Sequence, residues 1–295
     1  MGKHPKLKFH HSPTNGRFDW GDTRGNLFER FFDAEELEDI ETAMNEYSAI
    51  TSEDPDFIDA YNSMALIESE SMNYGFAIVT YRRAYDIGNK LIPDNFKGEI
   101  LWADTDNRPF LRSVMGVGLT FLALNEFDAA LNYFSQCLTY NPNDNQGARA
   151  HVIQCYIALG EFQSILDMCI CFPEDTLCEI MYGKVLAFYK LGYLKEADIA
   201  LKEAIKEHPL VAKELVAPTH KPVHPEIPGR VIMGSKEEAY DYWKRLGQYW
   251  TDPQLKLFIK SSITKPKKKS SKAESSSKSK EPHPLRLIKF KPDEE

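Results

Sequence analysis

One spacing recurs through most of this chain. Ala43, Tyr47 and Pro55 stand 4 and 8 residues apart, and both Ala130–Phe134–Pro142 and Ala197–Leu201–Pro209 repeat those intervals. Ala77, Tyr81 and Ala84 fit the same pattern, 34 residues after Ala43 and Tyr47. A small residue, a large apolar one a turn later and a Pro two turns beyond describe a helix that packs closely and then stops. Self-similarity at a fixed period of roughly 20–50 residues is the signature of a repeat array, in which each unit buries its apolar side against the next. Such a chain offers a surface rather than an enclosed catalytic pocket.

The bulk composition supports a buried core, with 42% hydrophobic residues and a formal charge of −8. That charge is uneven: residues 264–295 carry a net +5, leaving −13 on residues 1–263. An acidic body lacks the clustered Lys and Arg that phosphate contacts need, so nucleic acid is an expected partner only through the basic tail. The five cysteines, Cys137, Cys155, Cys169, Cys171 and Cys178, all fall within the apolar helical stretch. They read as buried, reduced thiols. Cys169 and Cys171 are two apart and so point to different sides of a helix, where they cannot share an ion. No apolar run reaches the roughly 18 residues of a membrane span, and the N-terminus has no apolar signal core, so the expected compartment is the cytoplasm.

Residues 1–25 are polar and Gly-rich and read as an extended lead-in. Leu27 to Ile50 recur at helical spacing as one helix ended by Pro55. Ser69–Tyr74, Leu124–Phe127, Leu159–Phe162 and Leu191–Leu194 are the turns of successive hairpins in an array over 26–210. The register breaks once: Ala77 to Ala130 is 53 residues, and the extra material falls near 89–109, between Pro93 and Pro109. Insertions in a solenoid map to one face, often the binding face. Residues 211–234 form a Pro-rich linker. Ser235 with Glu238 has the pattern of a capping box and opens the capping helices of 235–263, the last of them capped by Thr251. From 264 to 295 the composition predicts a disordered tail holding one apolar island, Leu285–Phe290.

Asn107-Arg108-Pro109-Phe110-Leu111-Arg112 and Asn141-Pro142-Asn143-Asp144-Asn145-Gln146-Gly147 add a more specific likeness. With the 34-residue period, these strings resemble a mostly bacterial, largely uncharacterised subset of tetratricopeptide repeat proteins. The resemblance implies an all-α fold: an α-solenoid of about five helical hairpins with a C-terminal capping helix pair and a disordered tail. It implies a scaffold that binds peptides or proteins, with no cofactor and no chemistry of its own. Counting from the family consensus, the groove-lining positions of the first helices hold Asn62, Arg112, Gln154, Tyr182, Tyr189 and Lys190. Leu66, Leu119 and Leu186 stand where the family's carboxylate clamp needs polar groups, so that clamp is not expected.

Arg108 and Arg112 flank Pro109 and read either as an anion contact or as structural partners of Asp104, Asp106 or Asp144; the proximity of those acids favours the second. Trp102 reads either as a lid on the groove or as a buried anchor. His220 and His224, with Glu226, are the better of two weak metal candidates, but a Pro-rich strand without a Cys partner does not make a zinc site, and no metal is assigned. No G-x-S-x-G and no Gly-rich phosphate loop occur. The function expected is therefore a non-enzymatic scaffold or adaptor binding a protein or peptide. The alternative is an autoregulated accessory protein, or one associated with metal or nucleic acid, that uses the Pro/His linker and basic tail.

Overall fold

In the computed structural model, which describes residues 6–21, 24–223 and 231–263, the repeated small residues sit where helices touch. Ala43, Ala77, Ala130 and Ala197 are all buried. The chain divides into two compact units, Met1–Glu161 and Phe162–Glu295. Apart from one two-stranded hairpin, the described regular elements are helices, and the all-α repeat architecture is that of the sequence period.

The first unit holds strands β1 (Lys8–His11) and β2 (Gly16–Asp19), then helices α1 (Gly25–Glu35), α2 (Ile40–Glu53), α3 (Ile58–Glu70), α4 (Tyr74–Asn89), α5 (Arg108–Ala123), α6 (Phe127–Tyr140) and α7 (Ala148–Leu159). Each helix from α1 to α6 packs on its successor, and the first helices α3 and α5 also touch. The single helix expected over Leu27–Ile50 is instead two. Asp39 breaks it by accepting the backbone N–H of Thr42, so α1 and α2 form a hairpin around Leu27, Phe31, Tyr47, Ile50 and Phe57. The later turns share one geometry. Met72, Asn125 and Gly160 have φ of 59°, 62° and 75°, and the next residue's N–H returns to a carbonyl five residues back, as in Asn73 to Glu68 at 2.8 Å. That bond closes the helix end and aims the chain into the next helix.

Helix α5 is held most tightly. A Cβ on Gly116 would lie 2.2 Å from the Tyr81 ring of α4, and one on Gly118 would lie 2.7 Å from the Phe134 ring of α6. Glycine here lets two aromatic rings lie against the helix backbone.

The N-terminal segment departs from the extended lead-in that its polarity predicts. β1 and β2 pair antiparallel, Phe9 opposite Phe18. Phe9 packs on Phe96 at 5.3 Å and Phe18 on Phe110 at 5.1 Å between ring centroids. The long connection from α4 to α5 pairs with this segment, Gly16 N–H to Glu99 O at 2.7 Å and Glu99 N–H to Thr14 O at 2.8 Å. It also meets the end of α6, where Ile100 N–H reaches Tyr140 O at 2.7 Å.

The second unit holds α8 (Phe162–Cys171), α9 (Cys178–Lys190), α10 (Leu194–Glu207), α11 (Pro209–Leu215), α12 (Lys236–Leu246) and α13 (Pro253–Ile263). Helix α11 lies in the stretch read as linker. Pro209 starts it, since at the first turn its missing N–H breaks no bond. Ser235 caps α12 as its spacing predicts, accepting from Glu238 N–H at 3.1 Å. Thr251 does not cap α13: Asp252 does, accepting from Gln254 N–H at 2.8 Å. Tyr242 and Trp250 are buried against Tyr182. The tail 264–295 with its apolar island, and His224, Pro225, Glu226 and Pro228, lie outside the described residues.

His208, fully buried between α10 and α11, places Nδ1 2.8 Å from Glu238 Oε2 and Nε2 2.5 Å from Thr176 O. Burial opposes its protonation, but the hydrogen bonds to Glu238 and Thr176 and the charges of Glu238 and Glu179 outweigh it, so its pKa is raised. Once protonated, the ring donates from both nitrogens.

Two outcomes follow from this packing. Gly116→Ala costs about 1–3 kcal/mol in chemical denaturation, because the added methyl displaces Tyr81, whereas Gly75→Ala, with open space around it, is neutral or slightly stabilising. A group whose folded pKa is raised stabilises fully below its unfolded value, near pH 6.5, and loses that stabilisation as pH climbs through the folded value. The melting temperature of the wild type relative to His208→Gln therefore falls between pH 6 and pH 8.5 in calorimetric scans.

Candidate functional site

Of the residues singled out from sequence, Asn62, Trp102, Arg108, Arg112 and Gln154 lie in the first unit, and Tyr182, Tyr189 and Lys190 in the second. Four of the first group come together. The start of α5 brings Arg108 and Arg112 one helical turn apart beside Trp102, the last aromatic of the long connection. Arg108 Nε donates to Trp102 O at 3.0 Å, and its guanidinium carbon lies 5.3 Å from the indole centroid. The guanidinium carbon of Arg112 lies 5.9 Å from the same ring. Both cations draw on the negative face of one indole. Arg112 Nη1 also donates to Asp59 Oδ2 of α3 at 2.8 Å.

Asn62 sits directly behind this pair. Its Nδ2 donates to Asp59 Oδ1 at 3.2 Å and to Pro109 O at 2.9 Å, tying α3 to the start of α5. The residue is buried, and Oδ1 meets no donor among the described residues. The sequence reading of Asn62 as an exposed groove residue is therefore corrected: it is buried where α3 meets the start of α5.

The pairing expected for the two arginines is corrected as well. Asp104 and Asp106 are taken by Arg17 of β2, at 3.2 and 2.6 Å, and Asp144 by Arg149 at 2.7 Å. The hairpin that polarity hid from view thus occupies the nearest acids, and the Nη groups of Arg108 meet no acceptor among the described residues.

Four residues of this face were not singled out as binding residues. Glu35, at the end of α1, feels the charges of both Asp59 and Arg112. Partial burial, then the Asp59 charge, raise its pKa, while Arg112 opposes them. Phe32, Leu66 and Leu119 are 58%, 51% and 40% exposed on α1, α3 and α5. Their intervals are 34 and 53 residues, the same as those from Ala43 to Ala77 to Ala130, so they hold equivalent positions in three successive hairpins. The period contained this signal. Leu66 and Leu119 were weighed only for lacking the polar groups of a clamp, and Phe32 only as part of a helical pattern.

In the second unit Tyr182 is not a groove residue. It is fully buried, and its hydroxyl donates to His208 O at 2.8 Å and accepts from Ala212 N–H at 3.1 Å. Tyr189 packs against Phe258 at 5.4 Å, and Lys190 is exposed. His220 stacks on Trp243 at 3.7 Å and bonds to Glu214 at 2.7 Å. Among the described residues no group of three or more His, Cys, Asp or Glu is placed to hold a metal ion. Burial pushes the Cys155 thiol up to about 12 and that of Cys169 up to about 11, so neither is an activated nucleophile. Cys171 is exposed rather than buried as its apolar setting suggested. No helix among the described residues is long and apolar enough to cross a membrane.

The structural role of Asn62 is measurable. Asn62→Ala removes one hydrogen bond within α3 and the one from α3 to the start of α5, and lowers unfolding free energy by about 1–3 kcal/mol in urea titrations.

Comparison with curated proteins gives no match. Among solved structures the chain is similar to that described as "YrrB: a TPR protein with an unusual peptide-binding site", at 16% identity over 61% of this chain and 81% of that one, with a TM-score of 0.45. It is also similar to a tetratricopeptide repeat protein from Parabacteroides merdae, at 15% identity over 84% and 82%, with a TM-score of 0.48. The sequence model of one family, described as "Transcriptional repressor TCF25", matches residues 102–292, well over half of the chain. The match takes in Trp102, Arg108, Arg112 and every helix from α5 onward, and by it this chain belongs to the Tcf25 family.

Proposed function

We propose that this protein is a non-enzymatic scaffold that binds a protein or peptide segment on the face formed by α1, α3 and α5. The observation that carries the reading is the repeated exposure of Phe32, Leu66 and Leu119 at equivalent positions, on the face where Glu35, Asp59 and Arg112 interact. Apolar side chains that recur on one side of a helical array, with fixed charges among them, have the composition of a recognition surface. Asn62 and Asp59 act from behind it, holding Arg112 and the start of α5 in place. The remaining groove candidates are Gln154 in the first unit and Tyr189 and Lys190 in the second, each within its own unit. A family described as a transcriptional repressor is consistent with action through contact. Residence in the cytoplasm is part of the reading and is supported by five free cysteines, which suit a reducing compartment.

A photo-crosslinking amino acid tests the face directly. Placed at Leu66 in the living host it captures a discrete partner, the product weakens several-fold when Leu119→Asp is added, and the same group at exposed Val79 of α4 does not give that product. Equal capture from Leu66 and Val79, or none from Leu66, removes the assignment.

A further inference from the structure

The charges on this face are matched in some places and unmatched in others, and the pattern specifies a ligand. Arg112 is committed to Asp59 at 2.8 Å. Asp104 and Asp106, the acids nearest Arg108 in sequence, are committed to Arg17. Arg108 therefore keeps a cation whose Nη groups have no acceptor among the described residues, held in place by Trp102. On α1, Glu35 makes no hydrogen bond or ion pair with a described residue, although it lies within the field of Asp59 and Arg112. The face thus presents an unmatched cation on α5 and an unmatched anion on α1, together with the exposed apolar side chains Phe32, Leu66 and Leu119. Covering it strips water from both charges, a cost that only opposite charges in the ligand offset.

We propose, resting on the peptide-binding reading above, that the bound segment carries one acidic and one basic side chain flanking an apolar residue. The acid meets Arg108 beside Trp102, the apolar residue lies along Leu66 and its equivalents, and the base meets Glu35. A segment with the charges reversed sets like against like at both ends and is rejected, so order as well as composition is read.

Selection from a displayed library of random peptides of about twelve residues, with the full chain as bait, tests this. The wild type enriches peptides in which an acid and a base flank an apolar residue in one order. The double variant Glu35→Lys/Arg108→Glu, shown folded by circular dichroism, enriches the opposite order. Arg108→Gln and Glu35→Gln each weaken a wild-type-selected peptide by about tenfold, and they decide the matter if the double variant does not fold. Enriched peptides without the charge pair, the same order on both baits, or affinities unchanged in the two Gln variants overturn the inference and leave a peptide-binding face standing. No enrichment on the wild type overturns the inference and the binding reading together.

Discussion

The carboxamide of Asn107 is the joint on which the first unit depends. Its Oδ1 accepts Phe18 N–H at 3.0 Å, and its Nδ2 donates to Gly16 O at 3.3 Å and Leu101 O at 3.1 Å. One buried side chain, on the residue before α5, thus binds the N-terminal hairpin and the α4–α5 connection. Because Asn107 is spent this way, it makes no side-chain cap on α5. A buried amide has few alternative partners, so losing any one of these bonds leaves a main-chain group unsatisfied and costs about 1–3 kcal/mol. Asn107 also sets the position of Leu101, and with it that of Trp102, whose carbonyl orients Arg108. The face proposed for recognition is organised from beneath by contacts that bridge some 90 residues of sequence.

Around that joint the helices approach as closely as their smallest side chains allow. Gly116 admits Tyr81, Gly118 admits Phe134 and Gly88 admits Phe110, so α4, α5 and α6 lock through rings laid against backbone. Flexible side chains could fill the same space, but they would lose more rotamer freedom and define the helix spacing less sharply. Rigidity here has a consequence for binding. The three equivalent apolar positions on α1, α3 and α5 keep fixed intervals, so the segment proposed to bind there would meet a preformed surface.

Much of this was legible in the sequence because it is local or periodic. The turns at Asn125 and Gly160 repeat the same four-residue form, and Ser235 announces its cap three residues ahead. What the sequence hid is long-range. Four-residue strands at Lys8–His11 and Gly16–Asp19 carry little pattern of their own, and their partners lie at Phe96, Glu99, Asp106 and Asn107. Tyr182 counts as a groove position by consensus, yet the approach of α11 and α12 buries it, a packing that no spacing within α9 reports. Asn62 is hidden in the same way, by the start of α5 against α3.

The same dependence explains why the unmatched charge falls on Arg108. Counting neighbours in sequence assigns Asp104 and Asp106 to it, since they lie two and four residues away. The hairpin brings Arg17 to both acids instead, from 87 and 89 residues back in the chain. Arg17 is well exposed, so its ion pairs contribute little stability. Their larger effect is to withhold two carboxylates from Arg108. Trp102 then holds the free cation by ring and carbonyl, contacts that orient a guanidinium without neutralising it. An arginine that is fixed in place but left without an acid is preorganised for an anion supplied from outside, and here the strand that leaves it so belongs to the scaffold itself.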